Sequence, residues 1–231
     1  VTSIGDSAFS GCSSLTNVSI GNGVISIGSS AFKGCDSLTS ITIPDSVASI
    51  GSSAFEGCSS LESITIGNGE TSIGKDAFRD CTNITTVTMP AAAIDDIPQD
   101  NLQVVVITSG DSIGERAFDG CTLLTSITIG NGVTSIGDHA FNGCSSLTSI
   151  AIPDGVTSIG SSAFYSCDSL DVVFYGGTES DWENINIDYH NSSLTNAIRY
   201  YYSETQPTEE GNFWHYDTDG ATPVIWTIET V

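Results

Sequence analysis

Residues 50–66 read Ile50-Gly51-Ser52-Ser53-Ala54-Phe55-Glu56-Gly57-Cys58-Ser59-Ser60-Leu61-Glu62-Ser63-Ile64-Thr65-Ile66, and this stretch decides the fold. The stretch recurs seven times, with the Phe of its Ala-Phe pair at positions 9, 32, 55, 78, 118, 141 and 164. The spacing is 23 residues among the first four copies and again among the last three. A fixed period of this length predicts a solenoid, in which each repeat forms one coil that packs on its neighbours.

The end of each repeat predicts a β-strand. In residues 61–66 the pattern Leu-x-x-Ile-x-Ile is typical of the strand segment of a leucine-rich repeat. Side chains alternate along a strand, so Ile64 and Ile66 point inward while Ser63 and Thr65 point outward. The preceding Ser-Ser-Ala-Phe segment is too short for an independent helix, and we expect one helical or 3₁₀ turn there. Candidate capping residues for that turn are Ser29, Ser52, Ser161, Asp6 and Asp138.

Two glycine positions in the repeat behave differently. The Gly after Ile has no exception in seven copies, which predicts either a positive φ or a close backbone contact. The Gly before Cys is replaced by Asp80 and Ser166, so we expect that position to be more tolerant.

One copy of the repeat is shortened, at about residues 90–112. The distance from Cys81 to Cys121 is 40 residues, and the Ala-Phe pair and the Cys are missing between them. The strand pattern survives in residues 102–107, so this copy should keep its strand. We expect Ile94 and Ile97 to fill the core positions that the missing residues leave.

The repeat resembles the BspA-type leucine-rich-repeat family. The resemblance rests on residues 156–170, Val-Thr-Ser-Ile-Gly-Ser-Ser-Ala-Phe-Tyr-Ser-Cys-Asp-Ser-Leu, and on the sibling copies, over roughly three quarters of the chain. It implies a right-handed, β-rich leucine-rich-repeat solenoid over residues 1–175, with one short strand and a brief helical or 3₁₀ turn per repeat. It also implies a bacterial or protist surface protein that adheres to host proteins or other cells, and it brings no catalytic residues.

Residues 176–231 hold all three Trp and no Cys. An open solenoid end exposes core side chains and unpaired backbone, so this segment is predicted to be a C-terminal cap or a small β appendage. Short strands are expected at Tyr200-Tyr201-Tyr202 and at residues 224–228.

The charge of the chain excludes several partners. There are 28 acidic against 5 basic side chains, a net charge of -23, which disfavours nucleic acid and anionic membranes. The same charge resists self-association, so we expect a monomer. No stretch is long and apolar enough for insertion into a bilayer. The chain opens within a repeat, at Val1-Thr2-Ser3-Ile4-Gly5, so we expect residues upstream, with any signal or anchor there, and an extracellular or cell-surface location.

The seven Cys occupy one position of the repeat. Neighbours in such a ladder lie about 4.8 Å apart with parallel Cβ directions, whereas a disulfide needs Cβ atoms about 3.8 Å apart that face each other. The spacing therefore favours a column of small buried thiols. A metal site is the alternative, but its ligands would have to converge on one point.

Signatures of catalysis are missing from the sequence. His139, His190 and His215 are not tied to any nucleophile, and there is no nucleophile elbow, phosphate loop or dinucleotide motif. We expect no enzyme activity, no catalytic residue, no cofactor and no metal.

The leading hypothesis is a recognition module that binds a protein or glycan on host or neighbouring cells. Two candidate surfaces follow. The first is the outward strand face, at Ser40, Thr42, Ser63, Thr65, Thr86, Thr88, Ser126 and Thr128. The second is the aromatic C-terminal segment, where exposed Trp182, Trp214 or Tyr216 could stack on a sugar. A structural spacer that projects another domain is the alternative, since the Ser/Thr positions are so uniform.

Overall fold

The computed structural model describes residues 1–208, 211–218 and 223–226. It divides into an N-terminal unit, Val1–Ser109, and a C-terminal unit, Gly110–Val231. Each unit is a β-solenoid built from coils of roughly 23 residues, which confirms the predicted fold class. Of the expected C-terminal strand residues, Thr227 and Ile228 lie outside the described part.

In the N-terminal unit each complete coil contributes one two-residue strand and one four-residue strand. The short strands form one parallel sheet and the long strands a second, with residues 23 apart paired in register. The short strands are β1 (Ser3–Ile4), β2 (Ser26–Ile27), β4 (Ser49–Ile50) and β6 (Ser72–Ile73). The long strands are β3 (Ser40–Ile43), β5 (Ser63–Ile66), β7 (Thr86–Met89) and β8 (Val104–Ile107).

The C-terminal unit repeats this plan and extends it. The short strands are β9 (Ser112–Ile113), β11 (Ser135–Ile136), β13 (Ser158–Ile159) and β15 (Asn186–Ile187). The long strands are β10 (Ser126–Ile129), β12 (Ser149–Ile152), β14 (Val172–Tyr175), β16 (Ile198–Tyr202), β17 (Phe213–Tyr216) and β18 (Pro223–Ile225). Pairing within the unit is parallel except between β17 and β18, which are antiparallel.

The core of each unit is a set of columns of identical buried side chains. Phe9, Phe32, Phe55 and Phe78 stack with ring centroids 5.2 Å apart at every step, and all of them except Phe9 are buried. In the C-terminal unit Phe118, Phe141 and Phe164 form the same column, at 5.5 and 5.1 Å. The inward Ile residues of the long strands are also buried. Burial of one Phe or Ile contributes about 1.5–3 kcal/mol, so the repeated apolar positions supply the main driving force.

The Ser-Ser-Ala-Phe segment is a run of turns closed by hydrogen bonds between residues three apart, such as Lys33 N to Ser30 O at 3.2 Å, and these turns do not join into a continuous helix. Alternate N–H groups donate to the next coil, which a helix could not do because its N–H groups bond along its own axis. The left-handed φ of Ser30, 53°, and of Gly34, 69°, allows this alternation. The pairs are Ser30 N to Ser52 O at 3.0 Å, Phe32 N to Ala54 O at 2.7 Å and Gly34 N to Glu56 O at 2.9 Å.

The capping carboxylates also act between coils. The Oδ1 of Asp6 accepts the N–H of Ser29 at 2.7 Å, 23 residues later. Asp138 accepts the N–H of Ser161 in the same way, at 2.8 Å. These aspartates therefore join neighbouring coils rather than cap a turn of their own.

The Gly after Ile is required by a close backbone contact. An added Cβ on Gly28 would lie 2.5 Å from the backbone N of Asp6, and one on Gly74 would lie 2.5 Å from that of Ser52. Positive φ is found instead at the Gly before Cys, where Asp80 and Ser166 also adopt it, at 59° and 56°. That position tolerates substitution at some backbone strain, which agrees with its variation.

The shortened copy is rebuilt around a 3₁₀ helix, Ala91–Asp96. Ile94 and Ile97 are buried, as predicted for residues that fill the vacated core positions. The strand is kept, since β8 pairs in parallel with β7 and aligns Val104 with Thr86.

Coil geometry continues beyond residue 175, although the sequence repeat fades near Leu170. Helix α1 (Glu179–Glu183) leads to β15, which pairs with β13, and helix α2 (Ser192–Asn196) leads to β16, which pairs with β14. Helix α1 begins with a capping box, because Thr178 Oγ1 accepts the N–H of Asp181 at 3.2 Å and Asp181 Oδ2 accepts that of Thr178 at 3.0 Å.

Candidate functional surfaces

The outward face of the long-strand sheet in the N-terminal unit is a uniform hydroxyl surface. Ser40 and Thr42 are exposed, and the remaining positions are half-buried by their neighbours. Strand pairing aligns these hydroxyl side chains with one another across β3, β5 and β7. We call this surface the Ser/Thr face; its residues are Ser40, Thr42, Ser63, Thr65, Thr86 and Thr88.

In the C-terminal unit the same face changes from polar to aromatic. It begins with Ser126 and Thr128 on β10, which align with Ser149 and Ala151 on β12. On the next two strands, β14 and β16, the position of Ser149 is held by Val172 and Ile198, and that of Ala151 by Phe174 and Tyr200. The hydroxyl side chains are thus replaced by larger apolar ones, and Ile198 is 54% exposed.

An aromatic cluster lies at this end of the C-terminal unit. Trp214 makes edge contacts with Phe174 at 5.6 Å, Tyr202 at 5.3 Å and Tyr216 at 4.8 Å between ring centroids. Tyr200 lies 5.9 Å from Phe174. Edge-to-face pairs of this kind are each worth about 0.5–1.5 kcal/mol beyond the area that they bury. The cluster is therefore a rigid surface rather than a set of loose side chains.

Trp214 and Trp182 were predicted to be exposed stacking platforms, and that prediction was wrong. Trp214 is 1% exposed, and its Nε1 donates to the carbonyl oxygen of Tyr175 at 2.7 Å. Trp182 is 8% exposed; its ring contacts Tyr175 edge-on at 5.3 Å and lies under the guanidinium of Arg199 at 5.2 Å. Both indoles are covered by neighbouring groups, so neither has a free face for a ligand.

Tyr216 does lie at the surface, beside a groove that the sequence did not reveal. This aromatic groove has a volume of 240 Å³ and is lined by Asn131, Pro153, Asp154, Gly176, Tyr202 and Tyr216. Tyr202 is 37% exposed and Tyr216 is half-buried. The rings of the two tyrosines are 5.8 Å apart. The run Tyr200-Tyr201-Tyr202 is the sequence signal that could have located this groove, since alternation along a strand puts Tyr200 and Tyr202 on one face.

The groove has a negative electrostatic character. Burial raises the pKa of Tyr216 above its usual value, and the neighbouring Tyr202 and Asp154 raise it further. Anionic neighbours disfavour ionisation of a phenol because they repel the phenolate. Tyr216 therefore acts as a neutral hydroxyl group at physiological pH.

The cysteines form buried columns rather than a reactive centre. All seven are free, and six are buried, whereas Cys12 is exposed. Sγ of Cys58 donates to Phe32 O at 3.2 Å, and Sγ of Cys144 donates to Phe118 O at 3.2 Å. Burial raises the pKa of Cys35 to about 11 and that of Cys167 to about 12. Such thiols stay protonated, and the described residues contain no group of three or more His, Cys, Asp or Glu that could hold a metal ion.

Within the described residues, the three histidines make no contact with a nucleophile. Nδ1 of His215 lies 2.8 Å from Tyr216 O, and the His215 ring stacks on Trp226 at 3.9 Å. His139 and His190 both have left-handed backbone, which reflects their place in the coil turns. Of the helices in the described part of the chain, none combines the length and apolar character that crossing a membrane requires.

Similar proteins are known among solved structures. A leucine rich cell surface protein from Faecalibacterium prausnitzii A2-165 is 31% identical over 81% of this chain and 61% of its own, with a TM-score of 0.43. The T. pallidum Leucine Rich Repeat protein is 30% identical over 74% of this chain and 72% of its own, with a TM-score of 0.42. A leucine-rich repeat protein from Bacteroides ovatus ATCC 8483 is 23% identical, with coverages of 82% and 75% and a TM-score of 0.32.

The chain thus spans less than two thirds of the Faecalibacterium protein. No curated protein sequence matches it significantly. The family model for the BspA type Leucine rich repeat region matches residues 1–103 and 98–198, in six copies. Since these matches cover most of its length, the chain belongs to the BspA-type leucine-rich repeat family.

Proposed function

We propose that the chain is a non-enzymatic recognition module of a secreted or cell-surface protein, and that it mediates adhesion to host proteins or other cells. Membership of a leucine-rich repeat family supports an interaction role. The description of the Faecalibacterium relative as a cell surface protein supports the location. A solenoid suits this role because its stacked strands create an extended surface for contacts.

One observation carries the proposal: the outward face of the C-terminal unit changes from Ser and Thr to an aromatic cluster. Binding energy in protein interfaces concentrates in a few aromatic anchors, with Trp, Tyr and Arg the most frequent. The Ser/Thr face lacks such anchors, whereas Phe174, Tyr202 and Tyr216 belong to one aromatic cluster within the C-terminal unit. Recognition is therefore assigned to the aromatic end, with the Ser/Thr positions as secondary contacts.

The test is an unbiased binding screen. Purified chain would be applied to an array of extracellular-matrix proteins, cell-surface proteins and neutral glycans at physiological salt. The proposal expects retention on at least one protein, and retention lost when Tyr202 and Tyr216 are both changed to Ala. If nothing on the array or on intact host cells retains the chain, the recognition role is wrong.

A structural spacer is the second candidate, and the uniform Ser/Thr face of the N-terminal unit favours it. The outward positions of β3, β5 and β7 are all Ser or Thr, as a surface that contacts no partner would allow. A variant that lacks residues 26–71, two complete coils, separates the two roles. As a spacer the N-terminal unit would lose only reach, so affinity for a captured partner should be unchanged. A sharp loss of affinity would contradict the spacer role.

A further inference from the structure

We propose that the aromatic groove binds a lysine or arginine side chain, and that the partner of this module presents a basic segment there. The proposal rests on the recognition role above and specifies the chemistry of the partner. It follows from three features of the groove: free polar groups, two tyrosine rings and an excess of negative charge.

The polar side chains of the groove have no hydrogen-bond partners of their own. Asp45, at the matching position of a coil in the N-terminal unit, accepts the N–H of Asn68 at 2.8 Å through its Oδ1. Within the described residues, the carboxylate of Asp154 accepts no hydrogen bond, and the side chain of Asn131 and the hydroxyls of Tyr202 and Tyr216 form none. Each of these groups has a lone pair that can accept a hydrogen bond from an ammonium or guanidinium group.

The two tyrosine rings suit the same ligand. A cation over an aromatic face is attracted by the electrons of the ring, and the attraction grows as the cation is desolvated. The stem of Lys or Arg is apolar and packs on rings while its charged head reaches a polar group. Here the rings of Tyr202 and Tyr216 lie 5.8 Å apart beside Asp154, in a groove of 240 Å³.

Charge decides between possible ligands. The five basic residues of the chain are Lys33, Lys75, Arg79, Arg116 and Arg199, so none lines the groove. The 28 acidic residues steer cations toward the surface and repel anionic glycans or phosphorylated segments. Asp154 supplies the local partner, since it is exposed and raises the pKa of Tyr216. A neutral sugar could form hydrogen bonds with the tyrosine hydroxyls, but it would gain nothing from the negative charge of the groove and its surroundings.

The inference is tested with synthetic probes, independently of the natural partner. The ligand is a labelled dodecapeptide of alternating Lys and Ser, and its control carries Nε-acetyl-lysine at every Lys. Fluorescence anisotropy at physiological salt should show about two- to fivefold weaker binding for Asp154→Asn, since one exposed ion pair is worth up to about 1 kcal/mol. The acetylated peptide should bind at least tenfold more weakly.

A matched variant distinguishes binding in the groove from general attraction of the peptide to the negatively charged chain. Asp168→Asn removes the same single charge from an exposed carboxylate that does not line the groove. It should change affinity less than twofold, while Tyr216→Phe, which removes one hydroxyl, weakens binding. Thermal unfolding of each variant establishes that it is folded.

Three results with the synthetic probes would overturn the inference. The first is an equal effect of the Asp154 and Asp168 variants, which would show that only the total charge attracts the peptide. The second is equal binding of the acetylated peptide. The third is binding of neutral oligosaccharides, but not of the basic peptide, in the groove. If the array retains a protein that the groove variants bind as tightly as the wild type, this inference fails while the recognition role stands.

Discussion

The side chain of Asn191 takes the place of a backbone carbonyl of the next coil as the acceptor for the N–H of Phe164. Its Oδ1 accepts the N–H of Phe164 at 2.9 Å. One coil earlier, the N–H of Phe141 donates instead to the backbone carbonyl of Ala163, at 2.8 Å. Nδ2 of Asn191 also donates to Gly160 O and to Asp188 O, each at 2.9 Å. The residue is 4% exposed, so one buried carboxamide satisfies the backbone where the regular turn ends.

Replacing Asn191 with Ala should destabilise the C-terminal unit substantially. The change leaves the buried N–H of Phe164 without an acceptor and removes one donor from each of the carbonyl groups of Gly160 and Asp188. An unsatisfied buried group costs about 1–3 kcal/mol. We expect a loss of about 2–4 kcal/mol in the free energy of unfolding, measured by urea denaturation.

The control for this variant is Asn184→Ala. The Asn184 side chain is exposed and donates to Ser180 O at 2.8 Å, so its loss should cost under about 1 kcal/mol. Equal effects of the two changes would contradict the capping role of Asn191.

The Gly after Ile can be tested at Gly74. An added Cβ would lie 2.5 Å from the backbone N of Ser52, which has no room to move because it belongs to the packed neighbouring coil. Gly74→Ala should lower the free energy of unfolding by about 1–3 kcal/mol, the usual cost of overpacking. Gly5→Ala is the matched control, since an added Cβ there meets nothing within 4 Å. A Gly74 variant as stable as the Gly5 variant would show that backbone contact does not explain the invariant Gly.

Thiol reactivity should separate Cys12 from the other six cysteines. Cys12 is exposed and the rest are buried, several of them donating to carbonyl groups. Under native conditions at pH 8, a disulfide reagent should label about one thiol per chain, and seven after unfolding, because access limits reaction at buried sites. Mass spectrometry of the labelled peptides would identify the site. Rapid native labelling of Cys58 or Cys144 would contradict the buried column.

The same thiols predict a loss of stability at alkaline pH. Burial raises the pKa of Cys35 from 9.0 to about 11 and that of Cys167 to about 12. Above pH 9 the unfolded chain ionises these thiols while the folded chain keeps them protonated. The stability that they contribute is complete below pH 9 and is lost as pH rises through 11 or 12, by about 1.4 kcal/mol per pH unit for each thiol.

Denaturation series at pH 8, 9, 10 and 11 would measure this slope. A variant that carries both Cys35→Ala and Cys167→Ala should show a flatter dependence. An unchanged slope in that variant would assign the alkaline loss to other groups.

The repeating part of the fold could be predicted from the sequence because each coil meets a copy of itself. The inward position of Ile64 follows from strand alternation, and the same register then holds for Ile41 and Val87. The rebuilt core of the shortened copy was also predictable, since Ile94 and Ile97 were the apolar residues available. Local periodicity and packing agree at these positions, which is the condition under which sequence reasoning succeeds.

The turns and the aromatic end could not be predicted in the same way. The turns at Ser30 are held by hydrogen bonds to a neighbouring coil, and a short segment read alone does not contain that partner. The burial of Trp214 depends on rings contributed by Phe174, Tyr202 and Tyr216, which the chain brings together from three strands. Exposure of an aromatic residue outside a periodic pattern is a tertiary property, so composition alone could not place these indoles.

The central claim is that recognition belongs to the aromatic end and not to the Ser/Thr face. The decisive measurement is the affinity for a protein captured in the array, determined by surface plasmon resonance for two double variants and the wild type. One variant carries both Tyr202→Ala and Tyr216→Ala, and the other carries both Thr42→Lys and Thr65→Lys. The account predicts at least about a tenfold loss of affinity for the tyrosine variant, as expected for interface anchors, and less than about a threefold change for the threonine variant. A tenfold loss in the threonine variant, with the tyrosine variant binding like the wild type, would contradict it.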